Sequence, residues 1–168
     1  MLAHGSVSHM VARSGDGFLR CSDGHVRWGI FGAAGVVFVH RAEPDAVPTV
    51  LLQLRSAMSH EGGTWSCPGG AVDLGETAFD AALREASEEI GVPPEGYGLV
   101  GEYVFAPAVD WTYTTVVVEV PEQFGVPLNF ETAAVEWVPA PDVAQRPLHP
   151  GFGAAWPHLR TIVSGGAD

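Results

Sequence analysis

The segment of residues 70–92 constrains the fold of this chain more than any other part of the sequence. It begins with a glycine-led loop and continues into a helix that carries Glu85, Glu88 and Glu89. At about 100° per residue, carboxylates spaced i, i+3 and i+4 project from one side of a helix. The sequence therefore predicts a helix with one acidic face, packed through its other face against the rest of the chain.

Both ends of this helix are marked by residue type. Thr77 followed by Asp80 fits a capping box, which predicts the start of the helix. Gly91 predicts its end, because a glycine commonly follows the last helical turn. Before the helix, Pro68, Gly69 and Gly70 predict a tight turn whose glycines let a backbone carbonyl approach a metal. The apolar residues expected to be buried are Phe79, Ala82, Leu83, Ala86 and Ile90.

The acidic face needs a compensating charge. Two carboxylates about 5 Å apart at an effective dielectric of about 20 repel by on the order of 3 kcal/mol. A hard divalent cation such as Mg²⁺, which takes oxygen ligands and keeps positions for water and phosphate, would relieve that repulsion. The alternative is a solvated acidic surface, the usual role of a charge run. Helix spacing alone leaves both interpretations open.

The elements around this helix predict the fold class. Buried strands are expected before it, a strand pair and a short strand after it, and a final helix in which Pro157 implies a kink or a late start. Strands, helix, strands, helix is the order of a mixed sheet with helices on its faces, an α/β arrangement. The strands are predicted at residues 30–40, 49–55, 98–105, 111–120 and 134–138, a turn at 106–108, and the last helix at 151–163.

The acidic segment resembles the Nudix box, the signature of the Nudix hydrolase family. The box is written G-x5-E-x7-R-E-U-x-E-E-x-G-U, where U is a bulky aliphatic residue. One position departs from it: Ala86 stands where Ile, Leu or Val is usual, and we expect a packing adjustment there. The matching residues are Gly70, Glu76, Arg84, Glu85, Glu88, Glu89, Gly91 and Val92.

The resemblance implies a fold and a metal site. The expected fold is the Nudix α/β/α sandwich with a central mixed sheet, as a single domain over residues 28–164, with residues 1–27 as an unassigned N-terminal segment. The implied cofactor is Mg²⁺, with Mn²⁺ as a substitute. Glu76 is either an acid favoured at the helix N-terminus or, as the resemblance favours, a partner of Arg84. The implied metal ligands are Gly70, through its carbonyl, and Glu85, Glu88 and Glu89.

The resemblance also implies catalytic and substrate-binding residues. Glu85, Glu88 and Glu131 are the predicted catalytic residues, and the general base stays open between Glu85 and Glu131. Arg55 is expected to bind phosphate, because its fork suits phosphate oxygens. Trp65 and Trp111 are candidates for stacking a nucleobase, although most aromatic residues simply fill the core.

The implied reaction is hydrolysis of a nucleoside diphosphate linked to another group, by attack of water on phosphorus. We expect an ordinary or oxidised deoxynucleoside triphosphate as the substrate, with a nucleoside monophosphate and pyrophosphate as products. One alternative is an ADP-ribose or nucleotide-sugar pyrophosphatase. Pro107, fifteen residues after the box, favours this alternative. An alternative of another class is a nucleotide-sensing Nudix module that does not hydrolyse its ligand.

The whole chain excludes several other classes. Its 168 residues fit one domain, and a formal net charge of -12 disfavours binding to a nucleic acid polymer. Cys21 and Cys67 are too few for a disulfide framework or a zinc site, so the cytoplasm is the expected location. No apolar run reaches the roughly 20 residues that span a membrane. The expected partner is a small-molecule nucleotide, and a homodimer is left open.

Overall fold

The computed structural model describes residues 13–166. Residues 1–12 of the unassigned N-terminal segment, and residues 167–168, lie outside the described residues. A seven-stranded mixed sheet lies between two helices, and a two-stranded sheet precedes it in the chain. This is the α/β fold with a central mixed sheet that the sequence predicts.

The elements follow one another in a simple order. They are β1 Phe18–Arg20, β2 Val26–Trp28, β3 Ala33–His40, β4 Thr49–Arg55, β5 Trp65–Ser66, β6 Gly69–Ala71, α1 Ala78–Glu89, β7 Gly98–Ala108, β8 Trp111–Glu119, β9 Thr132–Pro139, a 3₁₀ helix Ala140–Gln145 and α2 Pro150–Val163.

The central strand β3 separates two hydrophobic cores. The strand order is β5-β4-β3-β8-β7, with β6 also paired to β3 and β9 to β4, and among the strands of residues 13–166 only β3 and β8 run parallel to each other. Successive side chains of a strand point to opposite faces. Accordingly Val36 and Phe38 pack with α1, whereas Val37 and Val39 pack with α2. Burial on both faces explains why β3 is a continuous apolar run.

Helix α1 has the ends that the sequence predicts. Thr77 is its N-cap, and its hydroxyl oxygen accepts a hydrogen bond of 3.1 Å from the backbone N–H of Asp80. Gly91 follows the C-cap with a φ of 105°, a conformation that glycine adopts without strain. Ala82 and Ala86 are fully buried, so small side chains let the helix lie close to the sheet.

Strand β3 and the turn before β8 differ from the predictions at residues 30–40 and 106–108, β9 is longer than the predicted 134–138, and β8 ends one residue earlier than predicted. Strand β3 begins only at Ala33, because Gly32, with a φ of 92°, interrupts the extended conformation. Residues 106–108 belong to β7, and the turn to β8 lies at Val109 and Asp110. Pro107 is tolerated there because β7 is an edge strand and its register with β8 is irregular between Phe105 and Ala108.

Helix α2 is longer than predicted. It begins at Pro150 and continues through Pro157, so a late start at that proline is wrong. Pro157 lies on the exposed side of the helix. Phe152, Trp156 and Leu159 are buried against the sheet. Their packing stabilises the helix around Pro157, which has no backbone N–H to donate.

Part of the unassigned N-terminal segment is a hairpin of β1 and β2 that packs on the sheet. The indole N–H of Trp111 donates to the carbonyls of Trp28 and Gly29 at 3.2 and 3.1 Å. Before the hairpin, the backbone N–H of Gly15 donates to Oδ1 of Asp73 at 2.8 Å. The N-terminal residues of the described part of the chain therefore hold the loop that leads from β6 to α1.

Candidate active site

Strand β6 brings the backbone of residue 70 against the acidic helix. The tight turn predicted here is wrong, because Gly69 and Gly70 are extended and pair with Gly35 and Ala34 of β3. The glycines are needed for space. A Cβ on Gly69 would lie 2.4 Å from the carbonyl oxygen of Ala34, and one on Gly70 would lie 2.4 Å from Cδ of Glu85.

Arg84 ties the loop, the helix and β6 together. Its Nε and Nη2 donate to the two carboxylate oxygens of Glu76 at 2.8 and 3.0 Å. Nη2 also donates to the carbonyl of Ala71 at 2.9 Å, and Nη1 donates to Oε1 of Glu85 at 2.7 Å. Hydrogen bonds from Arg84 hold the pKa of Glu76 below its usual range. Glu76 thus pairs with Arg84, the interpretation that the resemblance favours.

The three glutamates of the acidic face differ in exposure. Glu88 is exposed, whereas Glu85 and Glu89 are partly buried. Burial raises the pKa of Glu89 to about 7, and it raises the pKa of Glu85 against the opposing effect of Arg84. Among residues 13–166, no three His, Cys, Asp or Glu side chains stand in a ready-made cluster for a metal ion.

The chemistry of this face nevertheless fits a hard cation. Oε2 of Glu89 is buried and has no hydrogen-bond partner in the described part of the chain. A buried carboxylate oxygen without a donor is costly unless a positive group reaches it. Gly70, with no side chain, lets the Glu85 carboxylate lie directly against its backbone. Carboxylate and backbone carbonyl oxygens are the ligands that Mg²⁺ and Mn²⁺ prefer.

Arg55 and Glu131 lie at one end of the neighbouring strands β4 and β9. The Nε of Arg55 donates to the carbonyl of His60 at 2.8 Å, and the positive charge of Arg55 partly opposes the rise that burial causes in the pKa of Glu89. Arg55 therefore lies near the acidic face. The Glu131 side chain is exposed, and its backbone carbonyl accepts from the N–H of Ser56 at 2.8 Å.

The two predicted stacking residues lie elsewhere. Trp65 pairs with Leu54 and packs into the core beneath α2, with the guanidinium carbon of Arg146 5.1 Å from its ring centroid. Trp111 is 8% exposed and packs with Cys21 under the hairpin. The structure does not bring either indole to the face of the sheet that carries α1.

Three polar residues of this region were not predicted from the sequence. Gln53 is buried near Glu89, Thr132 is buried beside Gln53, and the negative charge of Asp16 adds to the effect of burial, which raises the pKa of Glu85. Gln53 leaves a signal in the sequence, since it is the one polar residue in the apolar run before Arg55. Asp16 leaves none, because its position depends on the packing of the N-terminal residues.

Comparisons with known proteins agree with this fold and site. Residues 31–159 match the model of the NUDIX domain. A Mycobacterium tuberculosis protein called putative 8-oxo-dGTP diphosphatase 3 is 45% identical over 161 residues, which are 93% of this chain and 74% of that protein. A Bifidobacterium longum protein, a nucleoside triphosphate pyrophosphatase and Nudix hydrolase fusion, is 38% identical over 89% of this chain and 32% of its own length.

Solved structures show the same architecture. The crystal structure of RenU, a Nudix hydrolase from M. smegmatis, superposes with a TM-score of 0.81 at 40% identity, covering 92% of this chain and 98% of RenU. An Ap4A hydrolase from C. elegans superposes with a TM-score of 0.62 at 21% identity, covering 79% of this chain and 98% of that one, and supports the fold alone.

The matched domain and the acidic helix together define the class of protein: the chain belongs to the Nudix hydrolase family. Enzymes of this family act on small nucleotides and generally use a divalent metal ion. Among the described residues, no helix is both long and apolar enough to cross a membrane.

Proposed function

We propose that this enzyme hydrolyses a nucleoside triphosphate, an ordinary or oxidised deoxynucleoside triphosphate, to the monophosphate and pyrophosphate with the help of Mg²⁺. The observation that carries the proposal is the acidic face of α1, where Glu85 lies against Gly70 and the buried Oε2 of Glu89 has no partner in the described residues. The identity of 45% to a putative 8-oxo-dGTP diphosphatase, over 93% of this chain, supports the substrate class.

The proposed ligands of the metal are the carbonyl of Gly70 and the carboxylates of Glu85, Glu88 and Glu89, with Mn²⁺ able to replace Mg²⁺. When bound, a divalent cation neutralises phosphate oxygens and lowers the pKa of a coordinated water. Arg84 orients Glu85 by a 2.7 Å hydrogen bond. Positioning and charge neutralisation are the main requirements of phosphoryl transfer.

Arg55 and Glu131 are proposed to act beside that face. Arg55 would hold phosphate oxygens of the substrate, because its Nη atoms have no hydrogen bond to the described residues while its Nε is anchored on His60. Glu131, Glu85 and Glu88 are the proposed catalytic acids. Glu131 and Glu85 remain the two candidates for the general base that takes a proton from the attacking water.

A panel of nucleotides tests the substrate class. Deoxynucleoside triphosphates, 8-oxo-dGTP and ADP-ribose are incubated with the enzyme and Mg²⁺, and released monophosphate, pyrophosphate and phosphate are measured. The proposal expects a monophosphate and pyrophosphate from a triphosphate. If ADP-ribose is cleaved and the triphosphates are not, the enzyme is an ADP-ribose or nucleotide-sugar pyrophosphatase.

A pair of glutamate variants tests the enzyme against the sensing module. Glu88→Gln removes a proposed ligand with little change in volume and is expected to abolish turnover. Glu95→Gln alters another exposed glutamate, beyond the end of α1, and is expected to leave turnover unchanged. Tight nucleotide binding by the wild type with no phosphate release would show a nucleotide-sensing Nudix module instead. A homodimer and a cytoplasmic location stay predictions.

A further inference from the structure

Two polar side chains are buried in the sheet beneath the acidic helix. Gln53 of β4 is 4% exposed and Thr132 of β9 is 6% exposed. Gln53 lies on the same face of β4 as Leu51, which packs against α1. A carboxamide buried there costs free energy unless both its oxygen and its nitrogen find partners.

A register irregularity provides the first partner. Leu54 pairs with Ala134, but Arg55 pairs with Thr132, so Ala133 is an extra residue in β9. Because side chains alternate along a strand, one extra residue turns Thr132 onto the face that carries Gln53. There the hydroxyl of Thr132 donates to Oε1 of Gln53 at 3.2 Å.

This hydrogen bond decides the direction of the amide. Since Oε1 of Gln53 accepts from Thr132, the NH₂ group points away from β9. The Gln53 side chain lies near enough to the Glu89 carboxylate to lower its pKa, against the larger opposing effect of burial. Oε2 of Glu89 still has no partner among residues 13–166.

Thr132 is itself held in place. Its backbone N–H donates to Oδ1 of Asn129 at 3.2 Å, and the N–H of Glu131 donates to the same oxygen at 3.1 Å. A chain of polar contacts thus runs from the loop before β9, through Thr132 and Gln53, to Glu89 on α1. The hydrogen bond between Thr132 and Gln53 is buried and the one between Asn129 and Thr132 is partly buried, so the orientation of one group constrains the next.

We propose that Gln53 is a positioning residue, which Thr132 orients and which in turn orients the Glu89 carboxylate so that Oε2 faces the divalent cation. The inference rests on the proposed metal site, and it assigns a task to a residue that touches neither the substrate nor the metal. Partners of metal ligands commonly contribute a factor of about 10 to 100 in metal affinity.

The test measures Mn²⁺ binding without nucleotide, by the electron paramagnetic resonance signal of free Mn²⁺. Gln53→Leu is expected to raise the Kd for Mn²⁺ by about 10- to 100-fold. Thr132→Val replaces the hydroxyl with a methyl group and is expected to raise the Kd several-fold. Thr132→Ser keeps the hydroxyl and is expected to keep the Kd of the wild type. Thr115→Val serves as the matched control, because Thr115 is a buried threonine of β8 on the face of the sheet that packs against α2, away from α1.

Kinetics give a second measurement. In the Gln53 and Thr132→Val variants, the Mg²⁺ concentration for half-maximal rate is expected to rise in parallel with the Kd for Mn²⁺. The KM for nucleotide at saturating Mg²⁺ is expected to stay near that of the wild type, since Gln53 does not contact the substrate. A general loss of folded protein would instead lower kcat without moving the Mg²⁺ requirement.

The outcomes separate this inference from the proposed function. Wild-type Mn²⁺ affinity in Gln53→Leu overturns the positioning role alone. A wild type that binds Mn²⁺ but cleaves no triphosphate overturns the proposed substrate alone, while a wild type that binds no Mn²⁺ overturns both. If circular dichroism shows that Gln53→Leu does not fold, Thr132→Val and Thr132→Ser decide by the same criterion.

Discussion

The backbone of Gly70 lies so close to the carboxylate of Glu85 that a Cβ on residue 70 would be 2.4 Å from Cδ of Glu85. Gly70→Ala must therefore push that carboxylate away from β6. A displacement of about 1 Å in a catalytic site lowers the rate by about 100-fold. We expect kcat to fall by about that factor, measured by pyrophosphate release at saturating Mg²⁺ and nucleotide.

Gly98→Ala is the control for this change. Residue 98 is exposed at the start of β7, and a Cβ there meets no atom within 4 Å. Its kcat should match the wild type. Equal activity of Gly70→Ala and Gly98→Ala would show that the Glu85 carboxylate does not need its present position.

Arg55→Lys tests phosphate binding next to the acidic face. Lysine keeps the positive charge but loses the planar fork that binds two phosphate oxygens. Loss of one charge-assisted hydrogen bond, about 1.5–3 kcal/mol, predicts a rise in the KM for the triphosphate of about tenfold or more. Arg160→Lys, on the exposed side of the last turn of α2, should leave the KM unchanged. An unchanged KM in both variants would make Arg55 a surface residue.

Trp111 is expected to act in stability and not in substrate binding. Trp111→Phe removes the indole donor from the carbonyls of Trp28 and Gly29. Buried acceptors without a donor cost about 1–3 kcal/mol, which lowers the Tm by several degrees in a domain of this size. The exposed Trp28→Phe should change the Tm much less. A large rise in the KM of Trp111→Phe with an unchanged Tm would show that Trp111 binds substrate.

His149 makes the stability of α2 depend on pH. Its Nδ1 accepts a hydrogen bond of 3.1 Å from the N–H of Gly151, and burial, followed by the charge of Arg55, lowers its pKa. The unfolded chain, with a pKa of about 6.5, binds this proton more readily than the folded protein. The stabilisation is therefore complete above about pH 6.5 and is lost as the pH falls through the lower pKa of the folded state.

His149→Asn provides the comparison, because asparagine caps a helix N-terminus and does not titrate. Calorimetry from pH 7.5 to pH 5 should show a steeper fall in Tm for the wild type, by about 2 °C or more. Other acid-sensitive groups affect both proteins equally. Parallel Tm curves for the two proteins would contradict a titrating cap.

Local signals explain which elements could be predicted from the sequence. Helix α1 was predicted at both ends because Thr77 and Gly91 act through the backbone next to them. Strand β6 and the hairpin of β1 and β2 were missed because strands of three residues are too short to show a period of two. Gly69 and Gly70 suggested a turn, whereas their role is to let backbone and carboxylate pack closely.

Contacts between distant residues explain what the sequence could not show at the site. The face to which Thr132 turns depends on one extra residue in the pairing of β9 with β4. The burial of Trp111 depends on a hairpin more than eighty residues earlier in the chain. Spacing within one segment identified the acidic helix, but it carried no information on these pairings.

The parallel pairing of β3 with β8 has a consequence for how the enzyme acquires its activity. Strands β4, β5 and β6, helix α1 and strand β7 all lie in the chain between those two partners. The loop after Gly70 is completed only when Gly15 binds Asp73, 58 residues away. Pairings at such long sequence separation close slowly. During refolding, recovery of hydrolysis should therefore lag behind formation of α1, whose signals are local.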